Sequence, residues 1–293
     1  MQMLMAEAAD FCFCLDPLYT FFMFYDILCH IIDEIINSIY RTRSSMSKQQ
    51  HYDDLLARLN MERLPRHIGV IMDGNGRWAI ARGQARNFGH KAGAEALRRT
   101  VEICRELNIA VLSMFAFSTE NWRRPQTEID FLMRMLAQYL RQELPLLQEQ
   151  QIRLHGLGDW SVLPPAICEL YDEAREATAA NKMMTLNLAV NYGARQEIIR
   201  ATRSLAALTQ SGALSPPDID ETAFAQHLYT AGQPELDLLI RPSGEQRVSN
   251  FLLWQAAYAE LWFTQKLWPE FDKRDMLTAI LDYQGRKRRF GGI

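Results

Sequence analysis

The residues best suited to chemistry lie in one short stretch near position 73. Residues 68–72 form a near-continuous apolar run, which is typical of a strand buried on both faces of a parallel sheet. The run ends at Asp73, and a Gly-Asn-Gly turn at 74–76 and then Arg77 follow at once. Such turn residues tolerate positive φ and leave backbone N–H groups free to converge on an anion. The stretch predicts a site in which these N–H groups and Arg77 hold phosphate oxygens and Asp73 holds Mg²⁺.

The same stretch has a simpler interpretation. Asp-Gly and Asn-Gly are common turn dipeptides, so a purely structural turn at residues 73–76 stays open. Arg77 and Trp78, which follow directly, favour a binding site. The turn lacks the Gly-Lys-Ser/Thr of a P-loop and the spaced glycines of a dinucleotide-binding motif. Nucleotide binding is therefore not the first inference.

Polar residues also follow two other predicted strands, at 118–124 and at 241–250. The carboxyl ends of parallel strands share one edge of a sheet, and open α/β sheets bind their ligands at that edge. The arginines that could converge there with Asp73 are Arg77, Arg124, Arg241 and Arg247. Several arginines around one carboxylate suggest two phosphate-bearing substrates and a metal.

A second carboxylate stands out by its surroundings. Glu260 lies within Tyr-Ala-Glu-Leu-Trp-Phe, among large apolar side chains. A carboxylate is costly to bury unless it is paired or bound to a metal. A carboxylate at a surface edge is the open alternative.

Composition limits the class of protein. The chain has 293 residues, of which 48% are hydrophobic and 23% charged, and this is ordinary for a globular protein with one large α/β domain. A net charge of −3 gives no case for a nucleic-acid partner. Five cysteines without a Cys-x-x-Cys pair, and histidines without His-Glu-x-x-His, argue against a zinc site or a disulfide framework and fit a reducing cytosol.

Helical and strand patterns alternate along the chain and predict one α/β domain, with a central, mostly parallel sheet flanked by helices. Thr127-x-x-Asp130 resembles a capping box that opens a long helix. The other helices are predicted near 93–107, 164–179, 196–208, 221–229 and 273–283. The other strands are predicted at 110–117, 152–157, 184–190, 236–240 and 251–256.

The first 45 residues differ from the rest. Residues 11–40 are rich in apolar side chains, but acidic residues interrupt them, so no charge-free run is long enough for a membrane span. No basic segment precedes them, which argues against a signal peptide. We expect residues 1–45 to be an extension outside the catalytic fold, upstream of a natural start at Met46, and 46–293 to be the catalytic domain. A segment that binds a membrane surface or a partner is the alternative.

Six motifs occur in order along the chain: the thirteen residues from His67 to Ala79, Phe88 to Gly93, Phe115 to Trp122, Asn187 to Gly193, Arg241 to Phe251 and Glu260 to Phe263. Together they resemble the cis-prenyltransferases, most closely the bacterial undecaprenyl diphosphate synthases. The resemblance covers about Leu64 to Gly292. It implies a homodimeric α/β enzyme with an apolar tunnel, which elongates farnesyl diphosphate with successive isopentenyl diphosphate units and makes each new double bond cis.

The resemblance also implies a biological setting. The product would be undecaprenyl diphosphate, the precursor of the lipid carrier for peptidoglycan and other cell-wall polysaccharides. The enzyme would be cytoplasmic or peripheral at the inner face of the membrane, to which its product is delivered. The cofactor would be Mg²⁺.

Roles are carried over by motif. Asp73 and Asn121 would be catalytic, with Asn121 an orienting group rather than a base, and Asp73 and Glu260 would hold the metal. The allylic diphosphate would be bound by Gly74, Asn75, Gly76, Arg77, Arg86 and His90. Arg124, Arg241, Arg247 and Ser249 would bind isopentenyl diphosphate. Further substrate contacts would come from Trp78, Ser118, Thr119, Glu120, Trp122 and Val248, and from Arg289 and Gly291, which would reach across the dimer to a diphosphate.

Several of these positions have plainer alternatives. Arg86 and His90 could form a solvated helix start, the two tryptophans could belong to the core, and residues 289–291 could be a basic disordered tail. The apolar residues of 131–140 and 184–190 could line a tunnel or simply form core.

Two departures from the family pattern leave the ligand set of the metal open. Pro242-Ser243 stands where many relatives carry Thr-Gly or Thr-Ser, and Gln246 stands where some carry a histidine. Other product lengths and a non-catalytic partner subunit are the alternative functions. Such partners typically lose the Asp-Gly-Asn-Gly-Arg turn, which is intact here. A trans-type synthase would need aspartate-rich motifs, and Asp53-Asp54-Leu-Leu-Ala is not one.

Overall fold

The computed structural model describes residue 30 and residues 49–287, and the chain divides into two compact units, Met1–Ala57 and Arg58–Ile293. In the first unit, residues 49–57 are helical. The predicted boundary after residue 45 stays a prediction, because most residues on its N-terminal side lie outside the described part. Within the described residues, no helix is both long and apolar enough to cross a membrane.

A six-stranded sheet, parallel throughout, organises the second unit, and this confirms the predicted α/β class. Its strand order is β3-β4-β2-β1-β5-β6. The central strands are almost wholly buried, as expected for a parallel sheet covered on both faces. The strands are β1 (His67–Ile71), β2 (Val111–Ser118), β3 (Ile152–Leu157), β4 (Met184–Tyr192), β5 (Leu238–Arg241) and β6 (Glu260–Phe263).

Helices connect the first five strands, as the alternating pattern predicted, whereas residues 242–259 between β5 and β6 form loops and turns. The helices are α1 (Asn75–Ile80), α2 (Arg86–Glu106), α3 (Gln126–Glu149), α4 (Pro165–Ala177), α5 (Ala194–Gln210), α6 (Glu221–Ala225) and α7 (Lys273–Gly285). Short 3₁₀ segments lie at Met61–Arg63, Thr119–Arg123, Trp160–Val162, Pro216–Asp218 and Trp268–Glu270. α2 packs against α1, α7 and the Trp268–Glu270 segment, and α3 packs against α4 and β3.

The predicted strand at 251–256 is wrong, because these residues form turns. Asn250 and Leu252 have φ angles of 62° and 47°, in the left-handed region, which no strand accommodates. Phe251 and Leu252 are fully buried in a core cluster, so their apolar character reflects burial rather than a pleated strand. The sixth strand lies instead at 260–263.

One helix start and one helix end also differ from prediction. α3 begins at Gln126 after Pro125, without a side-chain cap, so Thr127 lies inside the first turn and forms no capping box. Proline suits this position because its φ is already close to helical values. The helix predicted at 221–229 ends at Ala225.

The strand register sets which side chains share an edge. Ile71 pairs with Phe115, and Arg241 pairs with Phe263, so the segments that follow β1, β2 and β5 lie along the carboxyl edge. Glu260 pairs with Leu238 at the opposite, amino edge of the sheet.

Candidate active site

A cavity of about 810 Å³ lies between the sheet, α2 and α3 and reaches the carboxyl edge. Its outer part is polar, and its inner part is lined by apolar side chains of α2, α3 and β4. The predicted tunnel segments contribute Leu132, Met133, Met135, Leu136, Tyr139, Leu188 and Val190. The predicted site residues that line the cavity are Asp73, Gly74, Asn75, Gly76, Arg77, Arg86, His90, Ser118, Glu120, Asn121, Arg124, Arg241, Arg247 and Ser249.

Two guanidinium groups hold the Asp73 carboxylate. Arg241 Nη2 donates to Asp73 Oδ2 over 2.9 Å, and Arg77 Nη2 lies 3.3 Å from Asp73 Oδ1. Burial raises the pKa of the Asp73 carboxyl, but the hydrogen bonds from Arg241 and Ser243 and both positive charges outweigh it, so the pKa lies below its ordinary value. Asp73 is therefore ionised at neutral pH and can hold a cation.

Both terminal nitrogens of the Arg241 guanidinium donate hydrogen bonds. Its side chain is 5% exposed, and its Nη1 donates to the Arg247 carbonyl oxygen at 2.5 Å and to Ser249 Oγ at 2.6 Å. Its Nε and the Asn75 Oδ1 atom are buried without a hydrogen-bond partner. The Arg241 Nε is a nitrogen that can donate to an anion in the cavity.

Ser243 is a site residue that sequence reasoning missed. Arg77 donates to its carbonyl oxygen at 3.0 Å and to its hydroxyl at 2.7 Å. Glu245 lies 3.6 Å from Arg77 and also pairs with Arg247. The unusual Pro242-Ser243 sequence thus places a hydroxyl on Arg77, and no pattern within the loop itself could show this.

Glu128 is the second missed residue. Its carboxylate lies among three of the predicted binding residues: 3.0 Å from Arg124 Nη1, 3.4 Å from Arg86 Nε and 3.4 Å from His90 Nε2. Burial and the neighbouring arginines lower the pKa of His90, although Glu128 opposes them. The available signal was an acidic residue four positions after Arg124, at the helical i, i+4 spacing.

The segment after β2 is tied down by its own side chains. Asn121 Oδ1 accepts a hydrogen bond from the Ser118 backbone N–H at 3.2 Å, within a reciprocal capping box. Asn250 Nδ2 donates to Glu120 Oε1 at 3.0 Å. Burial raises the pKa of Glu120, but hydrogen bonds from its own backbone, Asn250, Ser118 and Thr119 bring it below the ordinary value.

Other predicted residues lie outside the cavity lining. The Trp78 ring is stacked under the Arg82 guanidinium at 4.2 Å, and Trp122 donates to Asn191 Oδ1 at 2.8 Å. The Thr119 hydroxyl is buried, and Val248 packs against a core cluster. Arg289 and Gly291 lie outside the described residues.

The structure does not bring Asp73 and Glu260 together within this chain. Glu260 begins β6 at the amino edge and pairs with Arg286, whose Nη1 lies 2.8 Å from Glu260 Oε2. Residues 49–287 hold no group of three His, Cys, Asp or Glu side chains arranged to bind a metal. Mg²⁺ is commonly held by one or two carboxylates together with substrate phosphates, so Asp73 with a diphosphate fits that ion.

The chain is similar in sequence to known prenyltransferases. A prenyltransferase family model for undecaprenyl diphosphate synthases matches residues 71–291. The isoprenyl transferase of Heliobacterium mobile is 48% identical over 253 residues, covering 86% of this chain and 96% of that protein. The Vibrio cholerae enzyme named ditrans,polycis-undecaprenyl-diphosphate synthase ((2E,6E)-farnesyl-diphosphate specific) is 47% identical over 233 residues, covering 80% of this chain and 93% of that protein.

A solved structure shares the fold. The crystal structure of lavandulyl diphosphate synthase from Lavandula x intermedia, in complex with dimethylallyl diphosphate, matches with a TM-score of 0.77 at 41% identity. The match covers 78% of this chain and 99% of that one.

Proposed function

Because this chain belongs to the prenyltransferase family of the undecaprenyl diphosphate synthases, we propose that it elongates farnesyl diphosphate with isopentenyl diphosphate to make undecaprenyl diphosphate. The V. cholerae relative bears the name of that farnesyl-specific enzyme. The product would serve as precursor of the lipid carrier for cell-wall polysaccharides. We further propose a Mg²⁺-dependent homodimer that works in the cytoplasm and delivers its product to the membrane.

The observation that carries the proposal is a single cavity with a cationic mouth and an apolar interior. Five arginines and one histidine line the mouth beside Asp73, and apolar side chains of α2, α3 and β4 line the inner part. A prenyl diphosphate has the same division, with a charged head and a hydrocarbon tail. Burying the growing tail among these side chains is favourable by roughly 25 cal/mol per Å² of apolar surface.

The site supports transfer of the prenyl group as follows. The allylic C–O bond breaks and its electron pair leaves with the diphosphate, whose oxygens would be held by arginine guanidinium groups and the N–H groups of the α1 start. The isopentenyl double bond forms the new C–C bond, and the isopentenyl unit then loses a proton to the released diphosphate, whose oxygens are basic, while the C–H electron pair forms the new double bond. Mg²⁺ held by Asp73 and phosphate oxygens would supply a Lewis acid that offsets the charge on the diphosphate.

Asn121 would orient the reacting groups and would not act as a base. Its Oδ1 already accepts the Ser118 N–H, and an uncharged amide has little tendency to take up a proton. Glu260, which lies far along the sheet from Asp73 within this chain, would join the metal only if another copy of the chain brought it there.

The test is incubation of the full-length chain with farnesyl diphosphate, radiolabelled isopentenyl diphosphate and Mg²⁺, followed by chromatography of the dephosphorylated products. We expect long cis-polyprenyl products whose formation stops when EDTA removes the metal. Products of another length would revise the final chain length but keep the elongation chemistry. The absence of any elongated product would contradict the proposed function.

A further inference from the structure

We propose that Glu128 is a positioning residue whose carboxylate holds Arg86, His90 and Arg124 together as one diphosphate-binding group. The inference rests on the proposed function, because it takes the mouth of the cavity to bind prenyl diphosphates. It also places Arg124 in the same group as Arg86 and His90, whereas the family pattern suggested that Arg124 joins Arg241 and Arg247.

The three side chains come from separate parts of the fold. Arg86 and His90 lie in the first two turns of α2, and Arg124 lies between the 3₁₀ segment and α3. All three line the cavity, whereas Glu128 stands behind them on α3 with its side chain only 11% exposed. The carboxylate is therefore shielded from solvent by the residues that it contacts.

The group faces the predicted phosphate cradle at the start of α1. A Cβ atom added to Gly76 would lie 2.9 Å from the Arg86 guanidinium carbon, so that guanidinium rests on the α1 backbone. An anion bound there can also reach Arg86.

A counter-ion is needed to keep these cations close together. Two arginines within reach of one carboxylate repel each other, and long side chains lose conformational freedom when they are held in one place. The Arg86 side chain is 52% exposed and could otherwise turn towards solvent. Glu128 therefore organises the group before the ligand arrives, which lowers the cost of binding.

Removal of Glu128 would have two opposing effects on the affinity for diphosphate. Loss of a negative charge beside a site for a polyanion would, by itself, tighten binding of the diphosphate. Loss of the anchor would weaken binding, because the cations would have to be ordered by the ligand. A weaker diphosphate affinity after removal is thus specific to a positioning role.

The experiment measures kcat and both KM values for Glu128→Gln and Glu128→Asp. Aspartate keeps the charge but is one methylene too short to reach all three partners. We expect KM for farnesyl diphosphate to rise about tenfold in both variants, equivalent to about 1.4 kcal/mol. KM for isopentenyl diphosphate and kcat should change by less than about twofold.

Glu143→Gln is the matched control. Glu143 lies on the same helix, has an 8% exposed side chain and pairs with Arg98 on α2, as Glu128 pairs with Arg86. Its replacement removes a comparable bridge between α2 and α3 and should lower the melting temperature without raising KM for farnesyl diphosphate. A rise in KM equal to that of Glu128→Gln would show that loosening the two helices suffices, and would overturn the inference.

Two further measurements separate this inference from the proposed function. Calorimetric titration with inorganic diphosphate needs no turnover, and we expect a weaker Kd in Glu128→Gln even if the substrates or products prove to be different. In an Arg124→Ala background, Glu128→Gln should have a smaller effect than in wild type, because residues that act together are not additive. An unchanged or tighter Kd, or full additivity, would overturn the positioning role.

Discussion

Asp73 links two arginines that come from different elements of the site. Arg77 and Arg241 both contact its carboxylate, and it lies just after β1, one of the two central strands of the sheet. The two guanidinium groups keep its pKa below the ordinary value, so the charge needed to hold a divalent cation is present throughout the physiological pH range.

Replacement of Asp73 should abolish efficient turnover. We expect Asp73→Asn to lower kcat roughly 10²–10³-fold, the scale of removing one electrostatic element from a preorganised site. Asparagine keeps the size of the side chain and an oxygen for Arg241, so the fold should be retained. Steady-state kinetics in Mg²⁺, with circular dichroism as the check on folding, test this. Turnover near the wild-type value would exclude Asp73 from the reaction.

Arg247 should matter for isopentenyl diphosphate. Its guanidinium pairs with Glu245, beside Arg77 at the mouth of the cavity. A planar guanidinium can bind two oxygens of a diphosphate at once, whereas the ammonium of lysine acts as a point charge. We expect Arg247→Lys to raise KM for isopentenyl diphosphate more than KM for farnesyl diphosphate. Arg123→Lys, at an exposed position of the neighbouring 3₁₀ segment, is the control. Equal increases in both KM values would indicate a general disturbance instead.

At the scale of elements, the site depends on the close approach of α1 and α2. Gly89 and Gly93 lie one helical turn apart on α2, where a Cβ atom would come within 1.9 Å of the Asn75 carbonyl oxygen and 2.3 Å of Asn75 Oδ1. The Phe-Gly-His-Lys-Ala-Gly motif therefore has a physical reason: without the two glycines, α2 could not bring Arg86 and His90 beside the phosphate cradle.

Gly89→Ala should move the two helices apart. The new methyl group would meet backbone rather than a flexible side chain, so we expect a loss of about 1–3 kcal/mol in the free energy of unfolding. KM for farnesyl diphosphate should rise as well. Urea denaturation and kinetics measure both effects. Gly285→Ala, where a Cβ atom meets nothing within 4 Å, is the control and should be nearly neutral. A fully stable Gly89→Ala protein would contradict the close packing.

At the scale of the whole molecule, a buried polar network joins three strands of the sheet. His67 is fully buried at the start of β1; its Nδ1 donates to the Pro234 carbonyl oxygen at 2.9 Å, and its Nε2 accepts from the Ser113 hydroxyl at 2.7 Å. Asn187 on β4 donates to the same hydroxyl at 2.8 Å and pairs with Gln233. Both nitrogens of the neutral imidazole are satisfied, and a proton added to Nε2 would break the hydrogen bond that Nε2 accepts from Ser113.

This network predicts a loss of stability in mild acid. Burial lowers the pKa of His67 from 6.5 to about 4, against the Pro234 hydrogen bond and the Asp237 charge. Between these two values the unfolded chain takes up a proton that the folded chain does not. The free energy of unfolding should therefore fall by up to about 3 kcal/mol as pH drops from 6.5 to 4. Urea denaturation across this range measures it.

A variant isolates the contribution of His67. Burial also lowers the pKa of His90 and His155, so part of the acid sensitivity comes from them. His67→Gln should be less stable at neutral pH but should show a shallower decline towards pH 4. A decline as steep as that of the wild type would assign the effect to other groups.

The sequence by itself determined the fold class and the edge of the sheet that carries the site. Apolar runs followed by glycine or arginine were enough to predict the edge of the sheet that carries the site. The carboxyl ends of parallel strands share one edge, whichever way the side chains pack. The positions of β3 and β4 followed from the same apolar patterns. A short apolar run such as 251–256 did not suffice, because burial in a turn and burial in a strand produce the same composition.

Only the tertiary structure decided which charges meet. Glu128 with Arg86, Arg77 with Ser243, and Glu260 with Arg286 are pairs separated by 26 to 166 residues in the chain. Charge pairing depends on distances of a few ångström between side chains on different elements, and no local pattern encodes those distances. The sequence therefore predicted the kinds of groups at the cavity mouth, whereas packing of α1, α2 and α3 against the sheet determined how they are grouped.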